Sequence, residues 1–383
     1  MDQKKKKVAW QQYVGMLFMV LIGVACGVFM AVLVDRFGDG RPLHEELLSL
    51  VALLAAMYIA IFFHLILHEM GHLVFGKLSG YTFGSFRIFS FMWIKENGKL
   101  RLKRHSLAGT GGQCLMVPPQ IRNGKFPLAL YNLGGSILNA VAGAIFLAAY
   151  FLSYSLALLS SVFALFAIAG FAVAVMNGVP MRMGNVDNDG YNAFALSKNP
   201  QAVKAFWVQL KVVEQTSNGV RLKDMPKEWF EFPPDAAMKN SMVAAEGVFA
   251  CNRLMDEGKF KAAAARMDHM LKIDSGMVDL HRNLLICDRI YTELIGDNKR
   301  DVIEAMLTLE LQRFMRAMKK FPSVLRTQYA IASLFENDLA KAKDIRAQFE
   351  KYASSYPYIQ DIVSERELMD IVDRAVNGAE NKM

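Results

Sequence analysis

Apolar residues are not spread evenly along this chain but gathered into long uncharged runs, nearly all before residue 180. A bilayer core about 30 Å thick takes roughly 20 apolar residues to cross as a helix. Residues 13–34 carry no charge and meet that length. Residues 47–75 form a second run, apolar until His64, His68, Glu69 and His72 crowd near its end. Residues 126–176 contain no charged side chain at all, enough for two helices joined by a turn near Ser153, Tyr154 and Ser155. The pattern predicts four membrane spans.

Between the second and third spans the period changes. Residues 81–104 are rich in aromatic, β-branched and alternating basic positions around Glu96-Asn97-Gly98-Lys99. Asn-Gly between such runs is a strong hairpin signal, and a β-hairpin lying on the inner membrane surface is expected there. After residue 200 the pattern becomes amphipathic helices separated by turns such as Asp256-Glu257-Gly258, Gly296-Asp297-Asn298 and Glu336-Asn337-Asp338. Ala-rich helices after these turns resemble tetratricopeptide helix pairs, with an irregular period. The expected fold is thus mainly α and polytopic, with four spans, a membrane-associated hairpin and a helical repeat-like domain. The expected divisions are an anchor and external loop (1–45), a core with the hairpin (46–200), a Pro-containing linker (201–235) and the helical domain (236–383).

The net charge of +8 raises the question of a nucleic-acid face, and its distribution answers it. Residues 1–200 carry 17 Lys and Arg against 9 Asp and Glu, whereas residues 201–383 carry 27 of each. The excess comes from Lys4 to Lys7 and from the segment 77–125, as expected for cytoplasmic ends and loops under the positive-inside rule. No nucleic-acid partner is expected. With Lys4 to Lys7 inside, four spans place the N-terminus, the basic segment and the C-terminal domain in the cytoplasm, in a cell membrane of bacterial type. Cys26, Cys114, Cys251 and Cys287 form no CxxC pair, so neither a disulfide framework nor a thiolate metal site is indicated.

The chemistry concentrates in His68-Glu69-Met70-Gly71-His72. Two histidines four apart on a helix share one face, so their imidazoles converge on one ion, and the intervening Glu69 is placed to take a proton from water activated by it. HExxH alone is moderately specific; a polar cluster that merely packs helices is the bland alternative. Ionisable residues inside a span are costly and mark function by default. Catalytic zinc takes three protein ligands, and Asp189, followed by Gly190 just past the last span, is the best third. His64 lies about 12 Å along the helix axis from His72, too far to share the ion, and reads as a supporting or packing histidine. Gly135, Asn139 and Gly143 share one face of the third span; small residues there serve close helix packing, while Asn139 stands equally between interhelical hydrogen bonding and a site role.

HExxH in one span, Gly135-Ser136-Ile137-Leu138-Asn139 in a Gly-rich span, and Asn177-Gly178-Val179-Pro180 followed by Asp189-Gly190 together resemble the site-2 protease family of intramembrane metalloproteases. The resemblance covers residues 47–195. It implies Zn2+ held by His68, His72 and Asp189, Glu69 as catalytic base, and Asn177 near the substrate backbone, with Asn139 as further support. Ser136 stands where the family has Pro, and the gap before Asp-Gly is longer than usual, which keeps Asp187 open as an alternative ligand. The family implies a zinc endopeptidase that cuts single-span proteins or membrane peptides near the cytoplasmic leaflet, in regulated proteolysis or peptide maturation. A protein partner is expected for the helical domain, and homo-oligomerisation is left open. The alternative is a membrane-anchored scaffold with a structural metal.

Overall fold

The computed structural model describes residues 10–35, 42–96, 98–105, 111–183, 186–194 and 196–380. The chain divides into two compact units, one of residues 1–83 with 111–200 and one of residues 84–110 with 201–383. It is mainly helical.

The first unit is built from α1 (Trp10–Asp35), α2 (Leu43–Leu78), α3 (Leu128–Leu152) and α4 (Ala157–Gly178). Among the described residues, α2, α3 and α4 are long and apolar enough to cross a membrane. The expected fourth span, α1, is helical over 26 residues. Gly23–Leu33 is the apolar helical stretch of α1 among the described residues. Lys4 to Lys7 and the loop residues 36–41 lie outside the described residues.

These helices are amphipathic in the inverted sense. On α2, Leu48, Tyr58 and Ile59 are exposed, whereas His64, His68, Glu69 and His72 are buried. An apolar outside of this kind is what a helix that crosses a membrane presents, and the polar groups turn inward where partners exist. Leu33 of α1 packs with Leu53 and Ala56 of α2 and Ala164 and Leu165 of α4. Where α2 meets α3, Gly71 and Gly134 let the backbones touch: a Cβ on Gly71 would lie 2.3 Å from the Gly134 carbonyl oxygen. Beyond α4, β5 (Arg182–Met183) and β6 (Val186–Asp187) form a short antiparallel ladder leading into α5 (Asp189–Phe194).

The segment 81–104 holds three strands rather than the two of a single hairpin: β1 (Thr82–Ile88), β2 (Phe91–Glu96) and β3 (Lys99–Arg104). Phe86 pairs with Trp93, and Trp93 with Leu102. The additional turn falls at Phe89, whose φ of 51° is in the left-handed region, an uncommon conformation for a bulky residue that period alone does not announce. The expected Asn-Gly turn joins β2 to β3, with Gly98 at φ 78°; Asn97 lies outside the described residues. The meander was expected within the 46–200 core, but residues 84–110 group with the helical unit. Lys103 donates to the Pro357 carbonyl (3.1 Å), and His105 meets Tyr356 edge-on at 5.6 Å. A further strand, β4 (Gly112–Val117), belongs to the first unit and turns Cys114 and Met116 inward.

The segment 201–235, expected as a linker, contains an 18-residue helix, α6 (Pro200–Ser217). Its buried Val203, Phe206, Trp207 and Leu210 recur at helical spacing, so the segment contributes to the core. The remainder of the unit comprises α7 (Ser241–Asp256), α8 (Phe260–Lys272), α9 (Asp279–Leu294), α10 (Arg300–Met306), α11 (Leu309–Ala317), α12 (Pro322–Ala330), α13 (Leu339–Ala353) and α14 (Ile359–Glu380). Successive helices pack as neighbours, α7 on α8 and α8 on α9. Lengths from 7 to 22 residues make the repeat irregular.

Candidate metal centre

Two elements bring three side chains to one point. The helical period of α2 sets His68 and His72 on its buried face, each 7% exposed. Asp189 enters from the first turn of α5. Its Oδ2 lies 3.0 Å from His68 Nε2 and 3.4 Å from His72 Nε2, and the two Nε2 atoms are 3.2 Å apart. Among the described residues these are the His, Cys, Asp or Glu side chains whose ligand atoms converge within 4.8 Å.

The donor set fits zinc: two imidazole nitrogens and one carboxylate oxygen are borderline ligands of the type catalytic zinc takes, with capacity for one more. Burial pushes the Asp189 carboxyl up, but the facing imidazoles of His72 and His68 outweigh it and hold the group well below the usual carboxylate range. That lowering is the work of protonated imidazoles, whose protons a bound cation would replace.

Asn188 delivers Asp189 to this point. Its Oδ1 accepts from the backbone N–H of Met181 (2.9 Å) and of Tyr191 (2.9 Å), and its Nδ2 donates to the carbonyls of Met176 (2.9 Å) and Val179 (2.7 Å). One side chain thus caps α5 and ties it to the end of α4. The sequence reading missed Asn188, although an Asn directly before a helical Asp is a recognisable N-cap signal.

His72 is oriented by its other nitrogen, 2.9 Å from the Tyr131 carbonyl oxygen; an N–H donated there leaves Nε2 bare for the ion, the usual outer-shell arrangement. Tyr131 itself donates its hydroxyl to the Cys114 carbonyl at 2.7 Å, tying α3 to β4. Neither contact has a sequence signal.

Glu69 is buried beside the ligands, 7% exposed. The start of β4 passes directly over it: a Cβ on Gly112 would fall 2.7 Å from Glu69 Oε1. The other expected residues divide. Asn139 is fully buried and reaches His68, with Nδ1 of the ring 3.2 Å from its amide. Asn177 donates to the Val173 carbonyl of its own helix at 3.0 Å, so its amide serves α4 locally. Asp187 lies on β6 opposite Arg182 and is not among the converging ligand atoms.

The helical unit has a concavity of its own, about 300 Å³, with Asn252, Asp256, His281, Arg326, Tyr358 and Asp361 among its walls. No protein-family model, no curated protein sequence and no solved structure matches the chain.

Proposed function

We propose that this chain is an intramembrane zinc endopeptidase of the site-2 protease type, and that it cleaves membrane-spanning or membrane-bound peptides near the cytoplasmic leaflet. The observation that carries the reading is the convergence of His68, His72 and Asp189 beside buried Glu69 on helices whose outer faces are apolar. A metal-binding cluster that only packs helices has no use for a carboxylate adjacent to the ligands.

His68 Nε2, His72 Nε2 and an Asp189 oxygen would hold the ion. Zinc bound there supplies Lewis acidity, lowering the pKa of a water toward about 7 and polarising a peptide carbonyl. Glu69 accepts the proton of the attacking water and passes it to the amine that leaves when the C–N bond breaks. Its confinement under β4 keeps the carboxylate from turning away.

A substrate helix must unwind before its backbone is open to attack, and unwound backbone groups in lipid need partners. The strand β4 runs past Glu69 at the edge of its sheet, and in this reading its backbone pairs with an extended substrate segment, the strand-addition mode of peptide recognition. In this reading α1 is the fourth span, and the N-terminus and helical unit are cytoplasmic. The helical unit receives a protein partner that recruits or gates substrate, and its cavity is the place for that contact.

The discriminating variant is Glu69→Gln. We expect it to bind zinc and insert in membranes as the parent does, while proteolysis of a co-expressed single-span substrate falls by about 10²–10⁴-fold. Undiminished cleavage by a zinc-loaded Glu69→Gln protein would leave the scaffold reading in possession.

A further inference from the structure

Asn139 stands between two histidines. As placed in the structure, Asn139 Oδ1 lies 2.9 Å from Nδ1 of His64 and Asn139 Nδ2 lies 3.2 Å from Nδ1 of His68, and His64 Nε2 lies 2.8 Å from the Phe166 carbonyl oxygen. A carboxamide donates from its nitrogen and accepts at its oxygen, so the direction of each bond in this row fixes the next.

Two arrangements are open, related by a half-turn of the amide. With the amide oxygen toward His64, that ring faces two acceptors, Asn139 Oδ1 and the Phe166 carbonyl, and donates to both only as an imidazolium. His64 is 0% exposed, and the rings of Phe63, Phe146 and Phe166 surround it. A cation in that setting carries a large desolvation cost. With the amide nitrogen toward His64, a neutral ring satisfies everything. His64 Nε2–H donates to Phe166, the amide N–H donates to His64 Nδ1, and His68 Nδ1–H donates to the amide oxygen.

We infer that His64 is a positioning residue for the metal centre, acting through Asn139 to hold His68 in the tautomer whose Nε2 is bare. The polarity of the row starts at the Phe166 carbonyl, an acceptor that cannot reverse, and ends at a ligand nitrogen. His72 reaches the same state through the Tyr131 carbonyl alone. Among the described residues it is Asn139 and no backbone carbonyl that meets His68 Nδ1, and a carboxamide without His64 could present either end to it. The space for the row is reserved by Gly170 of α4: a Cβ there would lie 2.6 Å from His64 Cε1. The amide and tautomer assignment stands on hydrogen bonding alone; its consequence for zinc rests on the proposed metal centre.

The test uses the full chain in detergent micelles with ¹⁵N-labelled histidine, the His64 resonances being those lost in His64→Gln. Long-range ¹⁵N–¹H correlation of the metal-free protein should show His64 protonated at Nε2 and bare at Nδ1. A proton on Nδ1, alone or with Nε2, overturns the inference whether or not zinc binds. Zinc affinity by chelator competition is the second readout. Asn139→Leu should weaken it by about 10–100-fold, the range of outer-shell changes. His64→Leu should fall toward the lower end of that range, and His64→Asn, which restores an acceptor near the Nδ1 position, should regain most of the loss. Equal loss in His64→Leu and His64→Asn assigns His64 to packing and sinks the relay, as does parental affinity in His64→Leu. Absence of zinc binding by the parent chain instead overturns the metal-centre reading and leaves the tautomer result to decide the row.

Discussion

In the helical unit the buried guanidinium of Arg326, 1% exposed, meets Asp288 at 2.5 Å and Glu365 at 2.9 Å and lies 4.4 Å from the ring of Tyr291. In the other unit the facing groups are two buried imidazole nitrogens and a partly buried carboxylate oxygen within 3.4 Å of one another. The first cluster is closed, because donors and acceptors of both signs come from the chain itself. The second is a set of lone pairs with only protons between them, which in the proposed function a cation would complete. Burial alone therefore does not separate a structural polar cluster from a binding centre; the sign balance of the buried groups does.

The largest effect expected from this contrast lies in the closed cluster. Arg326→Ala leaves Asp288 and Glu365 buried without their cation and should cost about 3–5 kcal/mol, read as a lower denaturant midpoint of the full chain in micelles. Stripping zinc with a chelator should leave that transition of the helical unit in place. A chelator-induced loss comparable with that of Arg326→Ala would break the distinction between the two clusters.

The open cluster is sharpened by its ligands. Asp189→Asn removes the anionic member and should weaken zinc by more than about 100-fold, beyond the 10–100-fold of an outer-shell change. Asp187→Asn, altering a residue of the β5–β6 ladder, should stay within about 3-fold of the parent. Chelator competition on both variants checks the pair, and the opposite ranking would transfer the ligand to Asp187.

Much of this centre was legible because its signals are local. The four-residue spacing of His68 and His72 fixes a shared helix face, and Gly190 after Asp189 singles out the residue that joins them. The row His64, Asn139, His68 was half legible: helix rise excludes His64 as a ligand, but only the meeting of α2, α3 and α4 brings its ring to Asn139. Tyr131 acts on His72 through its backbone carbonyl, which carries no residue-type signal, whereas Asn188 carries an N-cap signal for α5 but none for its bonds to the end of α4. The meander misled for a related reason. Phe89 adopts a left-handed φ within an apolar aromatic run, so Tyr81 to Lys95 reads as one strand and folds as two. In 201–235 the prolines drew attention to the end of the segment, while the periodic apolar positions of α6 had the larger say.

One group in the helical unit departs from its neighbours and gives the smallest and most specific test. Asp361 lines the 300 Å³ cavity with Asp256, His281 and Arg326, and among the described residues no ion pair engages its carboxylate. Burial pushes its pKa up to about 7, with the charges of Glu365 and Asp256 adding to the rise. Arg326 and Arg221 are already held by other acids. An unfolded Asp releases its proton near pH 4, well before the folded one. The folded state thus binds more protons between those values, and stability falls as pH rises from about 4 to about 7, then levels off. Asp361→Asn removes this penalty. It should stabilise the full chain at pH 8 by on the order of 2 kcal/mol, a figure discounted for the partly solvated edge of the group, and change little at pH 4. Urea midpoints of parent and variant at the two pH values measure the difference. Equal shifts at both would mean that the carboxylate is paired after all, and that the helical unit is closed throughout.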